Sequence, residues 1–191
     1  MVISLHPGLI MTCTAFSGNK RIAAGELPQV ALKAKAAMDR DQWAQVLIFD
    51  DVTSELIEVD YRSTPTITPT AEVETPRRPG RPKLGVVARE VTLLPRHWDW
   101  LASQPGGASV ALRKLVEQAR TAYQGRDRRR RAQESAYRFM SAMAGNAPDF
   151  EEAIRALFAG DRERFNQMVK AWPPDVRDHA KTLAVAAFLS D

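Results

Sequence analysis

This sequence has little that could crosslink it, carry it across a membrane or hold a metal. It contains a single cysteine, Cys13, so no intrachain disulfide framework can form. That usage suits a reducing, cytoplasmic setting, with Cys13 as a small buried hydrophobe. His97 and His179 lie far apart, and neither has a Cys or His partner at metal-ligand spacing. The longest apolar runs, residues 46–49 and 183–189, fall well short of the ~18 residues that a membrane span requires. The opening segment MVISLHPGLI lacks a basic stretch followed by a long apolar one, and is not read as a signal peptide. No Gly-rich phosphate loop, nucleophile elbow or zinc spacing occurs, so neither an enzyme nor a cofactor is expected. The acidic residues Asp50, Asp51, Glu55, Glu58 and Asp60 fall in a turn and on solvent-facing strand positions, which argues against a metal site. No internal repeat is found.

What is present is an ordinary core and an uneven charge. Hydrophobic residues make up 45% of the chain and charged residues 26%, as in soluble globular proteins. The net charge is only +4, but residues 77–131 hold fourteen Lys/Arg against four Asp/Glu. The remainder holds thirteen basic and nineteen acidic residues, so a basic middle lies between acidic flanks. Such a concentration fits a polyanionic partner for the middle. The arginines of 126–131 suit either phosphate contact or a solvated helix start.

The pattern divides the chain into an α+β arrangement. Residues 11–62 read as a small ββαββ unit. Its strand-like run 12–16 turns at Ser17-Gly18-Asn19-Lys20 and returns over 21–25. A helix over 28–38 follows, with Val30, Ala31, Ala34 and Met38 as its apolar stripe. Strands over 46–49 and 56–61 complete the unit, Ile57, Val59 and Tyr61 sharing a face. Residues 63–83 form a proline-rich basic linker carrying Pro65, Pro69, Pro76, Pro79 and Pro82, with too little apolar surface to fold alone. A second unit spans 84–124, and residues 127–191 read as a helical bundle. In the bundle, helices are expected to open near Pro148–Asp149, at Asp161 and after Pro173-Pro174, with Gly160 closing one of them.

Within 84–124 a β-type run ends at Pro95, a short helix carries Trp98, Leu101 and Ala102, and Pro105-Gly106-Gly107 breaks it. Ser109 then caps a longer helix with Leu112, Leu115, Val116 and Ala119 at helical spacing. Gly107-Ala108-Ser109 and the spacing of Leu112, Arg113, Leu115, Val116 and Ala119 resemble the second helix of the ribbon-helix-helix fold. That resemblance implies a homodimer whose paired strands enter the DNA major groove. The amides around Ser109 would hold a phosphate. The strand has Arg89, Val91 and Leu93 on one face and Ala88, Glu90, Thr92 and Leu94 on the other. Thr92 reads bases if Val91 and Leu93 are inward, and Arg89 does if Leu94 is.

Upstream, Arg77-Arg78-Pro79-Gly80-Arg81-Pro82-Lys83 resembles an AT-hook, an extended arm for the narrow minor groove of A·T-rich DNA. Its core departs from the usual pattern because Pro79, not Arg, precedes Gly80. Longer stretches, RPKLGVVAREVTLLPRHWDWLASQPGGASVALRKLVEQAR, FEEAIRALFAGD and WPPDVRDHA, resemble a bacterial family of unknown function, which implies no activity.

These readings lead to a homodimeric, cytoplasmic DNA-binding protein, a transcriptional regulator. Its DNA-contacting residues would be Arg77, Arg78, Gly80, Arg81, Lys83, Arg89, Thr92, Ser109 and Arg113. Two alternatives stay open: an antitoxin binding a protein through residues 133–191, and a dimeric interaction protein that does not bind DNA.

Overall fold

The computed structural model describes residues 11–41, 43–59, 61, 87 and 89–189. Among them the chain is α+β, and it divides into two compact units, one formed by both ends of the chain and one by its middle.

The first unit begins with a hairpin, β1 (Thr12–Ser17) and β2 (Lys20–Glu26), turned at Gly18, whose φ is 53°. Helix α1 (Leu27–Arg40) starts on Pro28, whose missing N–H costs nothing in a first turn. Strand β3 (Val46–Asp50) then pairs antiparallel with β1, giving the order β2-β1-β3. Between Ala15 and Phe16 the β1–β2 register shifts, leaving Ile22 as the extra residue of a bulge.

Period-two alternation decides what each face of this sheet covers. Cys13, Ala15 and Ile48 point to one side and pack with Ala23 of β2 and with Val30 and Ala34 of α1. Phe16 and Phe49 point to the other side, into a larger core built from the C-terminal helices. Those helices are α4 (Gln124–Ala144), α5 (Phe150–Ala159), α6 (Arg162–Met168) and α7 (Pro174–Ala184). Short 3-10 segments follow α6 (Val169–Ala171) and α7 (Val185–Phe188). Phe139 of α4 lies 5.3 Å from the Phe16 ring and 5.1 Å from that of Phe49. His179 of α7 lies 4.6 Å from Phe139 and 5.4 Å from Phe16.

Polar contacts reinforce the same junction. Ser54 Oγ and Ser135 Oγ share a buried hydrogen bond of 2.8 Å between the loop after β3 and α4. The Asp175 carboxylate accepts from the Arg21 amide at 2.9 Å, which joins α7 to β2. Arg138 donates to the Thr53 carbonyl from α4.

Three expectations change. The 11–62 and 127–191 regions were expected as separate domains, yet they share one core, because Phe16 and Phe49 would otherwise leave a sheet face in water. The strand over 56–61 is reduced to an isolated bridge between Leu56 and Phe49, so the unit is ββαβ. Ile57, Val59 and Tyr61 still pack on the α1 side of the sheet. Helix α4 starts at Gln124, ahead of the boundary at 127 expected for the bundle.

Several local signals hold. Gly160 ends α5 at φ 75°, and Asp161 caps α6 by accepting from the Arg164 amide at 2.9 Å. Asp149, by contrast, precedes α5 at φ 57° and makes no side-chain cap. The Cys13 thiol is buried, and burial together with Asp51 and Asp50 raises its pKa to about 11, which makes it a poor nucleophile.

Two outcomes follow. Phe139→Ala opens a cavity at the point where sheet and helices meet, and should cost about 3–5 kcal/mol in urea unfolding. His179 Nε2 is buried without a hydrogen-bond partner among the described residues, and burial holds its pKa below the ordinary 6.5. The unfolded chain therefore binds its proton at higher pH than the folded one. The stability His179 contributes is present above pH 6.5 and is lost as pH falls through the folded pKa. Urea midpoints measured at pH 7.5 and 5 should differ less in His179→Phe than in the native chain.

Candidate functional site: the central helical hairpin

The second unit contains α2 (Pro95–Ala102) and α3 (Gly107–Ala122). Pro95 fixes the first turn of α2, where the Leu94 carbonyl accepts from the amides of His97 at 2.8 Å and Trp98 at 3.3 Å. The helix is closed by side chains: Ser103 Oγ and Gln104 Nε2 both donate to the Trp100 carbonyl, at 2.7 and 3.2 Å. Gly106 and Gly107 then take left-handed conformations, φ 88° and 74°, and the chain re-enters a helix. At Gly106 a Cβ would come within 3.1 Å of the Val110 side chain, so sterics and backbone both require glycine.

Gly106, not Ser109, is the N-cap of α3, and no side chain caps it. Ser109 is a third-position helical residue and is exposed. The glycine pair supplies the turn geometry, so the helix starts before the serine. The phosphate-holding amides expected around Ser109 are thus the first-turn amides of a helix that starts at Gly107.

The hairpin buries very little. Leu101 and Ala111 are its buried residues among those described. Leu115 and Val116 of the expected apolar stripe are 41% and 62% exposed, and Ala119 is exposed beside them. Trp98, Trp100, Val91 and Leu94 are also open to solvent. A cleft of about 190 Å³ runs between the helices, lined by Trp100, Gln104, Leu115 and Gln118. The spacing of α3 identified an apolar stripe, but it could not reveal that Leu115, Val116 and Ala119 of that stripe are exposed.

The basic residues fall into groups with different surroundings. Arg89, Thr92 and Arg113 are exposed. Arg113 and Lys114 make no ion pair among the described residues, whereas Arg120 is paired with Glu117 at 3.0 Å. Residues 89–94 carry no strand assignment, and Leu93 alone among them is half-buried. Arg77, Arg78, Gly80, Arg81 and Lys83 lie outside the described residues. On α4, which belongs to the first unit, Arg130 binds Asp127 at 3.2 Å and Glu134 at 3.3 Å. Arg129 covers the bare Cα of Gly160. Much of the 126–131 arginine run therefore has structural work within its own unit, and Arg128 and Arg131 are the exposed members without an ion pair among the described residues.

The acidic candidates also have local roles. Asp50 accepts from the amides of Val52 and Thr53, building the turn after β3, and Asp51 accepts from Thr14 Oγ1 at 2.7 Å. Among the described residues no group of three His, Cys, Asp or Glu side chains is placed to hold a metal ion, and no helix is long and apolar enough to cross a membrane.

The hairpin's dependence on its glycine turn is measurable. Gly106→Ala should weaken it by about 1–2 kcal/mol, the ordinary penalty for a Cβ in the left-handed region. Amide exchange across α3 should then quicken roughly 5–30-fold, with β1 and α4 unaffected.

The chain belongs to the bacterial family described as "Uncharacterized protein conserved in bacteria (DUF2239)", whose model matches residues 12–184. No curated protein and no solved structure matches it.

Proposed function

We propose that this member of the family is a homodimeric DNA-binding protein, acting as a transcriptional regulator, with the central hairpin as its dimerisation and DNA-contacting unit. One observation carries the reading. A short helix, a glycine turn and a longer helix present Trp98, Leu115 and Val116 to solvent, over a core reduced to Leu101 and Ala111. An apolar face of that kind on so small a unit calls for a partner. The element order supports a second copy, as in a ribbon-helix-helix dimer. There, residues 87–94 of two chains would pair as a ribbon and satisfy each other's backbone groups.

DNA is the partner that the charge favours. Residues 77–131 concentrate fourteen basic residues, and Arg113 and Lys114 are exposed and unpaired among the described residues. Arg81 and Lys83 of the arm would add minor-groove contacts. Whichever strand face meets DNA, it offers one usual base reader, Arg89 or Thr92, so phosphate contact supplies most of the affinity. The antitoxin reading is less well supported. The helices of 133–191 that it would use as a toxin-binding segment already bury their apolar faces against the sheet of their own unit.

Three measurements test the proposal. The full chain should shift genomic DNA fragments in a gel at low salt. Absence of a shift there removes the DNA reading and, if the chain is still dimeric, leaves a dimeric interaction protein. Combining Arg113→Ala and Lys114→Ala with Arg81→Ala and Lys83→Ala should weaken binding and flatten its salt dependence by about one slope unit per lost phosphate contact. Leu115→Asp with Val116→Asp should yield monomers in analytical ultracentrifugation while the melting of the first unit stays unchanged.

A further inference from the structure

A second cleft lies in the other unit, between α6 and the α7 end with its following 3-10 turn. Its floor is apolar: Phe165 is fully buried, and the Phe188 ring stands 5.4 Å from it at 51°. Val185 extends the apolar wall. Arg162 and Asn166 come from α6, and Lys181 and Thr182 from α7. The volume is about 190 Å³, and a cavity of about 150 Å³ suffices for a benzene-sized body.

The two cations set this cleft apart. Neither Arg162 nor Lys181 makes an ion pair or side-chain hydrogen bond among the described residues. Two of the acids near them in sequence have partners of their own. Asp161 accepts from the Arg164 amide at 2.9 Å, and Asp178 accepts from Arg177 Nε at 2.8 Å. The Thr182 hydroxyl donates back to the Asp178 carbonyl, so it retains acceptor and not donor capacity. The Asn166 amide has no hydrogen-bond partner among the described residues and can still donate. Two unpaired cations on facing elements, an amide donor and an aromatic floor form a site with one charged end and one apolar end.

We infer that this cleft binds a small monocarboxylate with an aromatic or compact apolar body. The carboxylate lies between Arg162 and Lys181, within reach of Asn166, and the body rests on Phe188 and Val185, with Phe165 packed against Phe188. Free phosphate or acetate would satisfy the cations but leave the accessible parts of Phe188 and Val185 in water. A neutral aromatic would cover the floor but gain nothing from the charges.

Benzoate is the probe, titrated into the full chain and followed by amide NMR shifts. Saturable shifts concentrated at residues 162–166 and 181–188 are expected, with benzamide binding at least about fivefold more weakly and acetate not saturating. Arg162→Gln with Lys181→Gln should weaken benzoate about tenfold or more, whereas Arg162→Lys with Lys181→Arg should largely keep it. Both pairs alter solvent-facing side chains, and an unchanged melting temperature verifies the fold. No saturation with benzoate in the native chain overturns the inference, and so does equal affinity for benzamide. Benzoate binding that survives loss of both cations overturns it as well. The site lies outside the central hairpin, so failure here leaves the DNA-binding test unaffected.

Discussion

Phe139 lies against Phe16, Phe49 and His179, which come from β1, β3 and α7. That contact holds the two ends of the chain together. A three-stranded sheet has two faces, and α1 covers one of them. The other places two phenyl rings where water would be, at a cost of about 1.5–3 kcal/mol each if left exposed. Helices α4 and α7 remove that cost, and the sheet in turn gives them a surface on which to bury Phe139, Met140, Val176 and Ala180. Neither half has a complete core without the other.

This arrangement explains why a long middle segment can interrupt the unit. The entropy of closing a loop grows only logarithmically with its length, by about 0.6 kcal/mol per doubling. Once the aromatic contact is made, a central insertion costs the host little. The inserted hairpin gains no comparable core. Among the described residues it buries Leu101 and Ala111 around a glycine turn, half-buries Val110 and Leu112, and leaves Trp98, Trp100, Leu115 and Val116 exposed.

Burial also limits where chemistry can occur. Cys13 lies deep in the sheet with its thiol held protonated, and the Asp50 and Asp51 carboxylates are occupied by turn amides and the Thr14 hydroxyl. His179 is enclosed by phenyl rings. Among the described residues, Arg113 and Lys114 on the hairpin and Arg162 and Lys181 beside the second cleft reach solvent without an ion pair.

Local elements were legible in the sequence wherever their signals were local. The Ser17–Lys20 turn, the Val30/Ala31/Ala34 stripe, the Gly160 stop and the Asp161 cap depend on neighbours a few residues away, and backbone sterics and orphan amides respond to them directly. The same holds for the helix–glycine–helix order of the middle and its charge, which composition alone displays. Ser109 misled because a glycine pair two residues earlier meets the turn requirement first.

What only the tertiary structure decided is long-range. A run such as Val46–Asp50 states that both of its faces are buried, but not by what. The partner of Phe49 is Phe139, ninety positions along the chain, and no local periodicity encodes that choice. The same is true of the stripe Leu112, Leu115, Val116 and Ala119. Its spacing determined that an apolar face exists, and only the packed chain showed Leu115, Val116 and Ala119 exposed on it. Propensity and capping act over one turn of helix, whereas burial is settled among all the apolar surfaces of the chain at once.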